Sequence, residues 1–445
     1  MRGESRRIWA LTLPALGVLA AEPLYVLIDT AVAGHLGTVP LGGLALGGAV
    51  LSLLPAVANF LAYGTTSRAA RLYGAGRRAD AVAEGVQASW LAVGLGLVVL
   101  VLVEVFAGPL TGLLAGHGNP AVHAAAQRWL RIAVLGAPCV LLTLAGNGWM
   151  RGVQVTRRPL AYVLGANGLS AVLCPLLVYP AGMGLAGSAV ANVAAQTASV
   201  VLFVRDLRAE RARLGLSVRP RPEVLAGQLA LARDLVVRVV ALQGAFLSAA
   251  AVASRLGPHQ LAAHQIALQL WIFLSLVLDA YAIAAQSLVG AAIGAGDGAG
   301  ARRYAWTVAG YGAATGAVVA LALLAGWTAI PRLFSGDSEV LSQAHVVWPW
   351  FAAMQPAAGV VFALDGVLIG AGDTRFLRTI TILAAGCGFL PVVWLTYALR
   401  HEVGWGLAGV WCGLTLFIGI RLAGMLARVW RGRWVQSAVE GQVAA

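Results

Sequence analysis

Twelve apolar runs of about 20 or more residues, each long enough to cross a bilayer as a helix, recur along the 445-residue chain. They cover approximately 8–34, 41–63, 80–107, 123–150, 159–181, 184–206, 231–254, 260–290, 303–330, 342–369, 376–399 and 404–428, with short polar, Gly- or Pro-containing stretches between them. A segment inside hydrocarbon must satisfy its own backbone polar groups, which for runs this long means a helix. With 60% hydrophobic and 11% charged residues and a mean hydropathy of +0.81, the chain has too few polar side chains to cover a soluble protein of this size. The expectation is an all-α integral membrane protein. Arg2, Arg6 and Arg7 precede the first run as they would in a signal peptide. That run is too long, however, and lacks a small-residue cleavage site, so it reads as a retained first helix.

The formal charge of +13 raises the question of nucleic acid, and the placement of the basic residues answers it. All 31 are arginines, and 24 fall at the termini or in loops joining an even-numbered run to the next odd-numbered one. Arg128, Arg131, Arg255, Arg332 and Arg400 lie on the other side, and Arg238 and Arg421 lie within runs. This asymmetry follows the positive-inside rule and predicts cytoplasmic termini in the cell (inner or plasma) membrane. No interleaved aromatic residues or soluble domain would present the arginines to nucleic acid, so no nucleic-acid partner is expected. Cys139, Cys174, Cys387 and Cys412 are scattered through the runs and read as small apolar residues, not a disulfide framework. His35, His117, His123, His259, His264, His345 and His401 show no metal-ligand spacing, and no P-loop or nucleophile elbow is present. Neither an enzyme nor a bound cofactor is expected.

The polar stretch between the sixth and seventh runs divides the chain nearly in half. The expected organisation is an N-terminal six-helix lobe over 1–206, a cytoplasmic linker over 207–230, a second six-helix lobe over 231–430 and a cytoplasmic tail over 431–445, with small insertions tolerated from Arg205 to Arg221. Ordered matches link the halves. Gly74-Ala75-Gly76 returns as Gly294-Ala295-Gly296 after 220 residues, Gly152, Thr156 and Arg157 as Gly370, Thr374 and Arg375 after 218, and Gly184-Leu185-Ala186-Gly187 as Gly406-Leu407-Ala408-Gly409 after 222. A six-helix unit has been duplicated. Both copies start from the same side, which predicts two bundles related by a pseudo-two-fold axis along the membrane normal, with a cleft suited to alternating access.

A charge at mid-bilayer costs at least about 2.5–3.5 kcal/mol, so ionisable residues in the runs are functional candidates. Asp29 leads them, since its repeat counterpart 220 residues on is Ala249 and the carboxylate belongs to one half alone. Glu22 lies two helical turns earlier on the same face. A carboxyl is tolerated there when its charge is cancelled by a bound proton or by Na⁺, and switching that occupancy would couple an ion gradient to a conformational change. Asp279 and Asp365 correspond to Asn59 and Asn147 in the first half, which favours a polar role shared by both copies. Asn167, Asn192, Gln196 and Thr197 complete the set of candidates for a substrate or coupling-ion cavity. Pro14 and Pro23 would permit a kink ahead of Asp29, and Arg233 and Arg238 would pair with loop carboxylates or reach the interface.

The stretches LYVLIDTAVAGHLG, TTSRAARLYGAG, RDLVVRVVALQG, LAAHQIALQLWIFLSLVLDAYAIAAQSLVGAAIGAGD and LDGVLIGAGDTRFLR occur in this order over nearly the whole chain. The chain thereby resembles the multidrug and toxic compound extrusion (MATE) family, in its DinF-like branch. The resemblance implies a monomeric twelve-helix, two-lobe antiporter that expels small amphipathic, often cationic compounds in exchange for H⁺ or Na⁺, embedded in membrane lipid. It also implies that Asp29 is the coupling acid of the first span. Many relatives carry a second acid four residues after an asparagine in the fifth span, whereas here Asn167 is followed at that distance by Ala171. Glu22 stands where an uncharged polar residue is usual and is a candidate replacement for the missing acid, and Arg71 stands where glutamine is common. The competing readings are a lipid-linked precursor flippase of the same superfamily, expected to have a more cationic cleft, and a membrane transferase, for which no clustered Asp or His motif exists.

Overall fold

The computed structural model describes residues 2–115, 120–400, 405–432 and 434–435, all helix and short connections. In chain order the helices are α1 (Arg2–Leu36), α2 (Thr38–Gly74), α3 (Arg78–Ala115), α4 (Pro120–Ala133), α5 (Ala137–Gly152), α6 (Arg157–Val178), α7 (Leu185–Arg213) and α8 (Pro222–Leu256). They continue as α9 (Pro258–Gly294), α10 (Gly298–Ala325), the single turn α11 (Ala329–Arg332), α12 (Ser338–Ala353), α13 (Gln355–Ala371), α14 (Thr374–Leu383), α15 (Leu390–Ala398) and α16 (Gly406–Arg431). A 3₁₀ turn at Val134–Gly136 joins α4 to α5 as one span, and a π-helical turn at Ala384–Phe389 joins α14 to α15. Eleven helical segments are long and apolar enough to cross a membrane, and α12 with α13, bent by 48°, supplies the twelfth. The twelve spans of this all-α integral membrane fold follow the order of the apolar runs. Of the expected tail, residues 433 and 436–445 lie outside the described residues, as do His117 and His401.

By packing, the chain divides into one unit of Leu13–Ala232 and another of Met1–Thr12 with Arg233–Ala445. The first three turns of α1 therefore belong to the second unit, where Trp9 meets the rings of Tyr281 and Tyr311 edge-on at 5.9 and 5.6 Å and Glu4 pairs with Arg303 at 3.2 Å. The chain passes between units within α1 and again within α8. The stretch expected as a free linker is mostly the ends of α7 and α8. The residues between those ends are fastened to α3: Trp90 Nε1 donates to the Val218 carbonyl at 2.7 Å, and Gln87 bonds both the Arg219 carbonyl and the Arg221 amide. The segment is exposed, as its polar composition predicted, and these bonds tie part of its backbone to α3.

The duplication is visible in backbone conformation. Glycines with positive φ recur at the sequence offsets, Gly37 with Gly257 as the single residue between two long helices and Gly184 with Gly406 at the entry to the last span of each half. Gln154, the one non-glycine residue with positive φ among those described, corresponds to Gly372, so the turn has been kept where the residue has changed. The closest helix crossings repeat as well. A Cβ on Gly148 or Gly152 of α5 would run into the backbone of α2 at Ala62 or Thr66, and one on Gly366 or Gly370 of α13 would run into α9 at Ala282 or Gln286. Without a hydrophobic drive between helices in lipid, such backbone contact holds a bundle together. Gly366→Ala is expected to destabilise the protein by at least about 1–3 kcal/mol, because the Ala282 carbonyl it would meet is backbone and cannot turn aside. Gly310→Ala, with nothing within 4 Å, should be neutral or slightly stabilising. Thermal denaturation of the two purified variants compares them directly.

Candidate functional site

Asp29 sits on the half of α1 that belongs to the first unit, and its side chain is 4% exposed. α1 stays helical through Pro14 and Pro23, although Pro23 cannot donate to the Leu19 carbonyl one turn back. One turn before Asp29 on the same face is Tyr25, whose hydroxyl lies 3.5 Å from Asp29 Oδ2 and accepts a 2.9 Å bond from Asn192 Nδ2 of α7. The thiol of Cys174 on α6 donates to Asp29 Oδ1 at 3.2 Å. Ser188 of α7 is a further hydrogen-bonding neighbour of Asp29 and receives Trp129 Nε1 of α4 at 3.0 Å. Among the described residues the partners of this buried carboxylate are thus all neutral, drawn from three helices. Beyond it on α1, an open pocket of about 460 Å³ is lined by Ala31, Val32, His35 and Tyr179. His35 bonds the Ala31 carbonyl at 2.8 Å and Tyr179 the Val32 carbonyl at 2.9 Å.

Of the expected cavity residues, only Asn192 joins Asp29, through Tyr25. Glu22 is exposed, and seven residues of helical rise, about 10 Å, separate it from Asp29 along α1. Asn167 and Gln196 are half-buried on α6 and α7, and the exposed Thr197 returns its hydroxyl to the Val193 carbonyl of its own helix at 2.7 Å. Asn59 and Asp279 are both half-buried at corresponding positions of α2 and α9, and Asn147 and Asp365 are both 5% exposed at corresponding positions of α5 and α13. Cys174 had read as a small apolar residue and is instead a hydrogen-bond donor to the carboxylate, while Tyr25 and Ser188 carried no sequence signal beyond their polarity.

The second unit holds a different arrangement. Asp365 Oδ2 accepts from Arg238 Nη2 of α8 and Arg421 Nη2 of α16, each at 2.6 Å, and all three side chains are 15% exposed or less. Arg238 was expected to seek a loop carboxylate or the interface; its partner is instead the membrane-depth Asp365 of α13, which also binds Arg421 of α16. Arg233, by contrast, lies 3.4 Å from Asp234, which is also bound by Arg378 of α14 and Thr374. The deep charges of this unit are therefore not mainly acidic: two arginines share one oxygen of Asp365, leaving the cluster a net positive charge.

The MatE family model matches residues 14–176 and again 235–394, once in each half of the duplication. The chain is 32% identical to Protein DETOXIFICATION 44, chloroplastic, of Arabidopsis thaliana, covering 95% of this chain and 81% of that protein. It is 32% identical to DNA damage-inducible protein F of Escherichia coli K12, covering 98% and 94%. A crystal structure of MATE in the bent conformation superposes with a TM-score of 0.87 at 21% identity, covering 99% of this chain and 97% of the other. Two family matches spanning most of the chain, relatives alike over nearly all of it and a shared twelve-span fold establish that the chain belongs to the multidrug and toxic compound extrusion family of membrane transporters, in company with DinF.

Proposed function

We propose that this protein exports small amphipathic, often cationic compounds across the cell membrane in exchange for protons, by alternating access, with Asp29 as the coupling acid. The observation that carries the reading is the setting of Asp29: a buried carboxylate with hydroxyl and thiol neighbours and no cation to neutralise it among the described residues. Such a group is tolerated in a low-dielectric interior when it can take up a proton. Na⁺ prefers a shell of several oxygens, and a thiol is a poor member of it. A second reading, translocation of a lipid-linked precursor, draws on the net positive cluster of Arg238, Asp365 and Arg421.

The test is efflux of a fluorescent lipophilic cation from proteoliposomes under an imposed pH gradient and, separately, an imposed Na⁺ gradient. Movement driven by the pH gradient alone is expected. Movement under Na⁺ alone would overturn proton coupling, and movement under neither would favour the lipid reading. In the same assay Glu22→Gln is expected to leave the pH dependence unchanged, since about 10 Å of helix separates Glu22 from Asp29. A weakened response would restore Glu22 as a second coupling acid.

A further inference from the structure

Three neutral donors surround Asp29: the Cys174 thiol of α6 reaches Oδ1 at 3.2 Å, the Tyr25 hydroxyl, itself held by Asn192, lies 3.5 Å from Oδ2, and Ser188 of α7 is a further hydrogen-bonding neighbour. Cys174 is 1% exposed and packs in an apolar cluster with Val178 and Ala191, flanked by Val32, Leu36 and Leu177. Its S–H is directed at Asp29 Oδ1. It also stands seven residues after Asn167, on the helical stripe where Ala171 has only a methyl group. An ordinary thiol is neutral near pH 7, so it donates to the carboxylate without competing for the transported proton.

We propose that Cys174 is a positioning residue for the coupling acid: its thiol anchors Asp29 Oδ1 to α6 and so sets the pH range over which the carboxyl takes up and releases the proton. This rests on the proton-coupled reading above. A second tie between the same two helices, from the Tyr179 hydroxyl to the Val32 carbonyl, fixes α6 against α1 beside the open pocket, so the thiol is held in register with Asp29. The titratable groups around Asp29 are Tyr25 on its own helix and Cys174 on α6; Tyr179 and His35 line the pocket and are engaged by backbone carbonyls, and Glu22 is two turns away. No titratable side chain of α7 touches Asp29 among the described residues, where Ser188 is its neighbour.

A donor to a carboxylate favours the charged form, so its removal lets the proton be held to higher pH. Efflux from proteoliposomes at constant pH difference, measured over a series of absolute pH values, should show the Cys174→Ala profile displaced to higher pH by about half to one unit. Cys174→Ser, which keeps a donor at that place, should return the profile to that of the wild type. A packing role predicts the reverse order, since a hydroxyl in the apolar cluster is worse than a methyl group; equal profiles for all three proteins, or a loss of rate in Ala and Ser without displacement, overturns the proposal. An infrared difference spectrum of wild type against Cys174→Ala gives a readout that does not depend on transport. The Cys174 S–H stretch should lie at a hydrogen-bonded frequency and move to that of a free thiol in Asp29→Ala. A band indifferent to Asp29→Ala overturns the proposal even where transport is proton-driven, whereas a responsive band with no pH-driven transport overturns the coupling reading alone.

Discussion

Asp29→Asn is expected to reduce gradient-driven efflux to the level of protein-free liposomes while leaving the protein folded and inserted. The amide has the shape of the carboxylate. Its oxygen can still accept from the Cys174 thiol, and its remaining polar atom still faces the Tyr25 hydroxyl, so the ties from α1 to α6 and α7 survive. What disappears is the switch, since an amide neither ionises nor binds a proton in this range. The Coulombic cost of a buried charge disappears with it, and the melting temperature should stay within about 2–4 °C of the wild type. Near-normal efflux from Asp29→Asn vesicles would remove Asp29 from the coupling mechanism. A protein that no longer inserts or folds would show instead that the carboxylate is a structural element of the first unit.

The reach of the sequence can be judged from these same residues. Twelve spans were readable because a segment in hydrocarbon has one structural solution and a fixed length. The duplication was readable because the turns that need positive φ and the crossings that need a missing Cβ repeat at nearly constant offsets. Asp29 was readable because a carboxylate in an apolar run is costly wherever it points. Its partners were not, since Cys174 lies 145 residues away and which face of α6 meets α1 is decided by packing that leaves no periodic trace. Helical phase puts Glu22 on the face of Asp29, and among the described residues the hydrogen-bonding partners from α6 and α7 meet Asp29, two turns on. Arg238 misled because a lone arginine in a run is normally expected to reach the interface, and here it shares with Arg421 a carboxylate more than 100 residues away in sequence.

That cluster sets up the second large effect. Asp365→Asn is expected to destabilise the protein by about 3–5 kcal/mol, because removing one partner of a buried ion pair strands the other. Here it strands two guanidinium groups: Arg421 is 3% exposed, with the ring of Phe417 5.5 Å away as its further compensation among the described residues, and Arg238 is 15% exposed at its side chain. Asn can accept a hydrogen bond but cannot offset two positive charges at membrane depth. The variant should therefore give a much lower yield of monodisperse protein and a lower melting temperature, with its residual transport retaining the wild-type ion dependence. Replacing all three together, Arg238→Met, Asp365→Leu and Arg421→Met, should recover most of the lost stability, since a packed apolar trio needs no desolvation of charge. The two variants separate two roles for Asp365. If it fastens α8, α13 and α16, the triple variant folds and still couples to protons; if it takes part in coupling, the triple variant folds and transport is lost. Recovery of folding with intact coupling would leave Asp29 of the first unit as the acid on which proton exchange turns.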